Sequence, residues 1–136
     1  MKIWLIAAAL LAASAAEIAT VEPEDVAAKM AAKSGRPAVF MVGFNVLYRS
    51  KHIPGSIYAG PGNRPAGLDM LKAAVEKLPR DREIVLYCGC CPWDHCPNVR
   101  PAFDLLKQMG FTRVKVMHVA TNFKADWIDH GYPVGE

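Results

Sequence analysis

Apolar residues fall along this chain in alternating helix-like and strand-like blocks. "EPEDVAAKMAAKSG" (22–35) predicts a first helix: Pro23 suits its first turn, Glu22, Glu24 and Asp25 favour its positive end, and Gly35 stops it. "PAVFMVGF" (37–44) is an unbroken apolar run of strand length, the pattern of a strand covered on both faces. His52-Ile53-Pro54-Gly55 then predicts a turn, Ser56 to Ala59 a short extended piece, and Gly60 to Gly67 a loop. Apolar residues at 68, 71, 75 and 78 mark one face of a helix from Leu68 to Leu78. "EIVLYC" (83–88) predicts a second covered strand. A helix from about Pro101 to Met109 follows, with Gly110 as its stop. "TRVKVMHV" (112–119) reads as a strand whose valines alternate with polar residues. Asn122 is placed to cap a last short helix through Trp127 and Ile128 to Gly131.

Helices alternating with strands in this way predict a three-layer α/β domain, a mainly parallel central sheet flanked by helices. Sites in such sheets form beyond the carboxyl ends of the strands. The strand 83–88 ends on a cysteine and runs through a loop into a helix, so position alone makes that loop the candidate site. The chain has 136 residues, of which 52% are hydrophobic, enough for one packed domain and unlike a disordered segment. No internal repeat interrupts it.

The start changes the picture of where the domain begins. "MKIWLIAAALLAASAAEIA" has a positive Lys2, an apolar core from Ile3 to Ala13, and a small-residue cleavage pattern at Ala13-Ser14-Ala15. Residues 1–16 are therefore expected to be a removable signal peptide and 17–136 the mature domain. The apolar run falls short of the ~20 residues that a membrane-spanning helix needs. The expectation is an exported protein, periplasmic or extracellular, with no stable membrane association after cleavage and in a compartment where thiols can oxidise. Net charge is +3 with acids and bases interspersed and no basic run, which argues against nucleic acid as a partner.

All four cysteines lie in "YCGCCPWDHCPNVRPAF" (87–103): Cys88, Cys90, Cys91 and Cys96, with His95 among them. Backbone N–H groups of a strand-to-helix loop, and the positive end of the helix, stabilise a thiolate and make it nucleophilic. Cys88, where the strand stops, is the candidate nucleophile, and Arg100 the candidate cation for an anionic substrate. Two other uses compete. C-x-C-C-x3-H-C offers up to five soft ligands for zinc or copper(I), although all come from one segment, whereas structural zinc sites recruit separated pairs. Alternatively Cys90 or Cys91 pairs with Cys96, leaving thiols free for chemistry. A thiol–disulfide oxidoreductase is a third reading and the least favoured. His52 is expected to hold its turn by a hydrogen bond, His118 to be a satisfied, partly buried histidine, Trp127 to pack in the core, and Trp93 to pack down on its loop.

Three segments together resemble the single-domain rhodanese-like (sulfurtransferase) family. They are "HIPGSI" (52–57), "IVLYC" (84–88), and "GFTRVKVM" (110–117) followed by "WIDHGYPV" (127–134). The resemblance implies the rhodanese-like fold and sulfur transfer from a sulfane donor such as thiosulfate to a thiol or cyanide acceptor. The reaction would run through a cysteine persulfide, needing no metal or cofactor. By strand position Cys88 carries over as the persulfide-forming residue; counted back from the helix, Cys91 or Cys96 lies nearer the usual place. Three features depart from the family's pattern. The loop from cysteine to helix is longer, with its arginine late, at Arg100; "MVGF" stands where an Asp-x-Arg is usual; and "TNF" replaces paired glycines before the tryptophan helix.

Overall fold

A computed structural model describes residues 17–136; the predicted signal peptide lies outside the described residues. The strands are β1 (Thr20–Val21), β2 (Ala38–Met41), β3 (Ile57–Tyr58), β4 (Ile84–Tyr87) and β5 (Val114–Met117). Side by side they run β1-β5-β4-β2-β3, every pairing parallel. All four residues of β4 are buried, as its unbroken apolar sequence requires of a central strand. Its register with β2 pairs Met41 with Tyr87, so the two strands end together and the residues that follow them are neighbours.

Strand alternation splits the core in two. Phe40, Val42, Ile84, Leu86, Val114 and Val116 pack on one face under α3 (Pro65–Val75) and α4 (Val99–Gln108). Val39, Met41, Val85, Tyr87 and Met117 pack on the other, with Val26 of α1 (Pro23–Ala31) and Trp127 of the terminal helix (Lys124–Ile128). Val99, Ala102, Phe103 and Leu106 are the buried stripe of α4, at the i, i+3, i+4, i+7 spacing that turns one helix face inward. The fold is thus the three-layer α/β arrangement that the pattern predicts, with a sheet that is wholly parallel among the described residues.

Element bounds shift for identifiable reasons. Helix α3 begins at Pro65, inside the expected loop, and α4 at Val99, two residues before the expected Pro101. Proline is tolerated in a first turn because its missing N–H would have had no partner there. Two elements were not expected. Strand β1 is two residues long and exists through its pairing with β5 (Thr20 with Val116, Val21 with Met117). Helix α2 (Asn45–Ser50) buries none of its residues, so it carries no apolar period to read. Its far end is held from outside. His52 stacks on Tyr48 with ring centroids 4.0 Å apart, and its Nδ1 lies 2.9 Å from the Tyr48 carbonyl oxygen. The expected Asn122 cap is present, its Oδ1 accepting from the Ala125 N–H at 2.8 Å.

Candidate active site

The end of β4 is anchored by its last residue. Tyr87 is buried, and its hydroxyl accepts from the Ile53 N–H at 3.1 Å and lies 3.1 Å from Ser56 Oγ. The "HIPGS" turn is thereby fixed against the tip of the central strand. Burial pushes the phenol up to about 12, against the pull of its bonds to Ser56 and Ile53, so it stays neutral and serves as a strut.

Cys88 follows directly. Its side chain is buried, yet it lines a cleft of ≈ 520 Å³ together with Met41, Leu47, Cys90, Phe123 and Ile128. Lys51 and Lys124 also line this cleft; Lys51 supplies positive charge to a mostly apolar space, while the Lys124 ammonium is paired with the Asp129 carboxylate at 3.0 Å. On the β2 side Gly43 lies so close that a Cβ there would stand 2.7 Å from Cys88 Sγ and 2.8 Å from its carbonyl oxygen. No side chain fits in that gap. Gly89, at φ +92°, then turns the chain, and its carbonyl accepts from the Phe123 N–H at 3.0 Å. The loop passes through a 3-10 turn at Trp93–His95, tied down by the Trp93 N–H on the Val119 carbonyl at 2.9 Å, before reaching Cys96 and α4.

That path brings three sulfurs together. The Sγ atoms of Cys88, Cys90 and Cys96 all lie within 4.8 Å of one another, with Cys88 and Cys90 at 3.4 Å. Cys91 is 3.0 Å from Cys90 and outside the trio. No disulfide joins the described cysteines; all four are free. Asn98 closes the site from below. It is wholly buried, its Nδ2 is 3.5 Å from Cys88 Sγ, and its Oδ1 accepts from the Asn63 N–H at 3.1 Å.

The electrostatics differ from the expectation that the helix start would cradle Cys88. Cys96 is held down to about 6, first by a hydrogen bond from Cys88, against burial, and then by the Asn98 and Val99 amides at the start of α4. Cys88 is pushed far up, first because its proton bonds the Cys96 sulfur, then by burial and by the Cys96 charge. Only the Cys90 amide and Asn98 pull the other way. Cys96 is thus the member of the pair whose thiolate is favoured, while Cys88 lines the cleft. Cys91 is pushed up to about 12, first by burial and then by its contacts with Cys90 and the Cys96 charge.

The remaining sequence candidates fall as follows. Arg100 is exposed on the first turn of α4 and is not among the residues lining the cleft; the cations there are Lys51 and Lys124, which no motif marked. Of the five soft donors in C-x-C-C-x3-H-C, any thiophilic cation would meet only the Cys88–Cys90–Cys96 trio. His95 is exposed and paired with Asp94 at 3.0 Å. His118 is half-buried with Nδ1 2.8 Å from Glu22 Oε1, Trp127 is in the core with its Nε1–H on the Pro133 carbonyl, and Trp93 packs on the α3–α4 core, all as expected. Asn98 and Gly43 were missed, because their role depends on which strands are neighbours.

Comparison with known proteins decides the family. The rhodanese-like domain pattern matches residues 23–120. The chain belongs to the rhodanese-like domain family. No curated protein sequence matches it. Solved structures share the fold of this rhodanese-like domain at low identity. The Alr3790 protein from Anabaena sp. aligns with TM-score 0.64 at 18% identity, over 85% of this chain and 90% of that one. A single-domain sulfurtransferase of Saccharomyces cerevisiae, RDL2, aligns with TM-score 0.63 at 13% identity, over 87% and 94%. A protein from Bacillus halodurans aligns with TM-score 0.66 at 21% identity, over 86% and 76%. In this rhodanese-like domain the loop places a second sulfur, Cys96, just before the start of α4 while Cys88 stands at the end of β4.

Proposed function

We propose that this rhodanese-like domain is a sulfurtransferase that moves sulfane sulfur from a donor such as thiosulfate to a thiol or cyanide through a persulfide on Cys88. One observation carries the reading: at the carboxyl end of the central parallel strand, a sulfur lining a half-open, lysine-edged cleft lies within 4.8 Å of a second sulfur. The steps follow from that pairing. The Cys96 thiolate takes the Cys88 proton, and the Cys88 thiolate attacks the outer sulfur of thiosulfate. A sulfur–sulfur bond forms to Cys88, the donor's own sulfur–sulfur bond breaks, and sulfite leaves with its electron pair. Asn98 Nδ2 and the Cys90 amide offer hydrogen bonds to the anionic sulfur, and Lys51 favours approach of a dianion. A thiolate or cyanide arriving by the same cleft takes the outer sulfur and returns Cys88 to its thiolate.

The leader-like residues 1–16 support a site of action outside the cytosol, which N-terminal sequencing of the mature protein tests. The reaction is tested by mixing reduced protein with thiosulfate under anaerobic conditions and measuring sulfite. Expected is a burst of one sulfite per chain, absent from Cys88→Ser; a burst of the same size in that variant would move the nucleophile elsewhere in the loop.

A further inference from the structure

Three sulfurs at one strand end is more than persulfide transfer requires. The cleft is lined by Met41, Tyr87 and Phe123, residues of the α1-side core, together with Cys88 and Cys90. Cys96 does not line it. It is buried in the other core, under α3 and α4, among Val99 and Phe103. Cys88 Sγ thus stands between an open side, where a donor sulfur would sit, and a closed side, where Cys96 waits within 4.8 Å. A thiolate displacing a leaving group from sulfur attacks from the side opposite that group. Cys96, on the side away from the cleft, is therefore stationed for the inner sulfur of a Cys88 persulfide, whereas Cys90, although its sulfur is 3.4 Å from Cys88 Sγ, lies on the cleft side with the outer one.

We propose that Cys96 resolves the Cys88 persulfide internally, so that the domain also reduces sulfane sulfur to hydrosulfide. The proposal rests on the persulfide reading above and adds a second fate for the same intermediate. With the outer sulfur protonated, by return of the proton Cys96 had taken, the Cys96 thiolate attacks Cys88 Sγ. The Cys88–Cys96 bond forms, the bond to the outer sulfur breaks, and that sulfur leaves as HS⁻ with the electron pair. The two cysteines are oxidised by two electrons and the sulfane sulfur is reduced by two. A small-molecule or protein dithiol restores the pair by thiol–disulfide exchange, so the net reaction is dithiol plus sulfane sulfur giving disulfide plus hydrogen sulfide. Closing the bridge brings the two Sγ atoms in by at most about 2.7 Å, from the 4.8 Å bound to the ~2.05 Å of a disulfide. The segment between them, turning at Gly89 and joined to α4 only after Cys96, is the part of the fold placed to absorb that movement.

The test uses the full reduced protein, freed of reductant and mixed anaerobically with thiosulfate, with sulfite, sulfide, intact mass and disulfide-linked peptides followed together. Expected for the wild type is sulfide matching sulfite mole for mole, no retained sulfur, and a Cys88–Cys96 bridge in the peptide map. Cys96→Ser, and Cys96→Ala as a second variant, take up sulfur more slowly for want of the proton acceptor. They keep it as a persulfide and release no sulfide. Cys90→Ser still releases sulfide. Wild-type protein that releases sulfite but keeps the sulfur, or sulfide release lost in Cys90→Ser and kept in Cys96→Ser, would overturn the inference and leave the transferase reading standing. No sulfite from the wild type would remove the transferase reading and this one with it. A mild-oxidation arm with diamide is independent of any sulfur donor: a map without the Cys88–Cys96 bridge sinks the inference by itself.

Discussion

Replacing Gly43 by alanine tests the geometry of the site with a single methyl group. Its Cβ would stand 2.7 Å from Cys88 Sγ and 2.8 Å from the Cys88 carbonyl oxygen, where ordinary contact begins at 3.4 Å. Something must yield by about 0.6 Å, because repulsion at those separations is steep. The carbonyl cannot swing away freely, since β2 and β4 are zipped together in parallel up to Met41 and Tyr87, and the Val42 N–H bonds the Tyr87 carbonyl at 2.8 Å. The strain therefore falls on both the strand ends and the sulfur. Overpacking of this kind costs about 1–3 kcal/mol, a Tm drop of roughly 4–12 °C for a domain of this size. Displacement of the nucleophile costs more in rate than in stability, on the order of 10²-fold for a misplacement near 1 Å.

The assay is the single-turnover sulfite burst, expressed per folded molecule, beside a thermal melt. Gly35→Ala is the control. Gly35 has φ +70° with nothing within 4 Å of an added Cβ, so that variant loses about 1–2 kcal/mol to backbone strain alone. It should melt lower and react at the wild-type rate. If Gly43→Ala also reacted at the wild-type rate per folded molecule, Cys88 Sγ would not be the reacting atom and the site as built here would be wrong.

Three further outcomes follow from the same geometry. Ultraviolet absorbance should show one thiolate appearing as pH rises through about 6, well below an ordinary thiol near 8.5, because Cys96 is the group held down. Sulfur uptake should rise with it, and Cys96→Ser should lose that step; a first thiolate only above pH 8 contradicts the paired-sulfur account. Asn98→Ala takes the acceptor from the part-buried Asn63 N–H and removes the donor to Cys88. It should cost about 1–3 kcal/mol by denaturant midpoint and slow the burst, and a change within experimental error in both would dismiss Asn98 as a strut. Removing Lys51 should raise KM for thiosulfate about six-fold at low salt, by Coulomb's law between one positive charge and a dianion across roughly 8 Å in water, the cube root of the cleft volume, and removing Lys124, already paired with Asp129, should do less. The effect should fade at high salt; a salt-independent change would mean that the lysines act through shape.

The sequence carried the parts of this molecule whose signal is local. Strands β2, β4 and β5 and the buried stripes of α3 and α4 are written as runs and periods of apolar residues, and the position of Cys88 at a strand end follows from one of them. What escaped depends on contacts distant in the chain. Strand β1 is a strand only because Val116 and Met117 lie beside it, nearly a hundred residues away by number. Gly43 matters because β2 and β4 are neighbours ending in register, which no local pattern states. Arg100 had been the natural cation by proximity in sequence, but a residue beside the cysteines in the chain can point away from them in space. Lys51 and Lys124 reach the cleft from positions 73 residues apart in the chain.

The helix start shows how a small error in a boundary changes chemistry. Counting α4 from Pro101 leaves Cys96 stranded five residues upstream, a loop thiol with no special surroundings. With α4 beginning at Val99, the Asn98 and Val99 amides reach the Cys96 sulfur, and the stabilisation expected at Cys88 is found there instead. A short loop would have put one sulfur at both the strand end and the helix start, joining reactivity and charge in a single atom. The longer loop divides them. Under the proposed reaction the cleft-facing sulfur then depends on its neighbour for deprotonation, and the neighbour, on the core side and within 4.8 Å, is in reach of any persulfide formed. Under that proposed reaction, loop length, more than the presence of a cysteine at the strand end, selects whether a captured sulfur atom waits for an acceptor or is expelled from within.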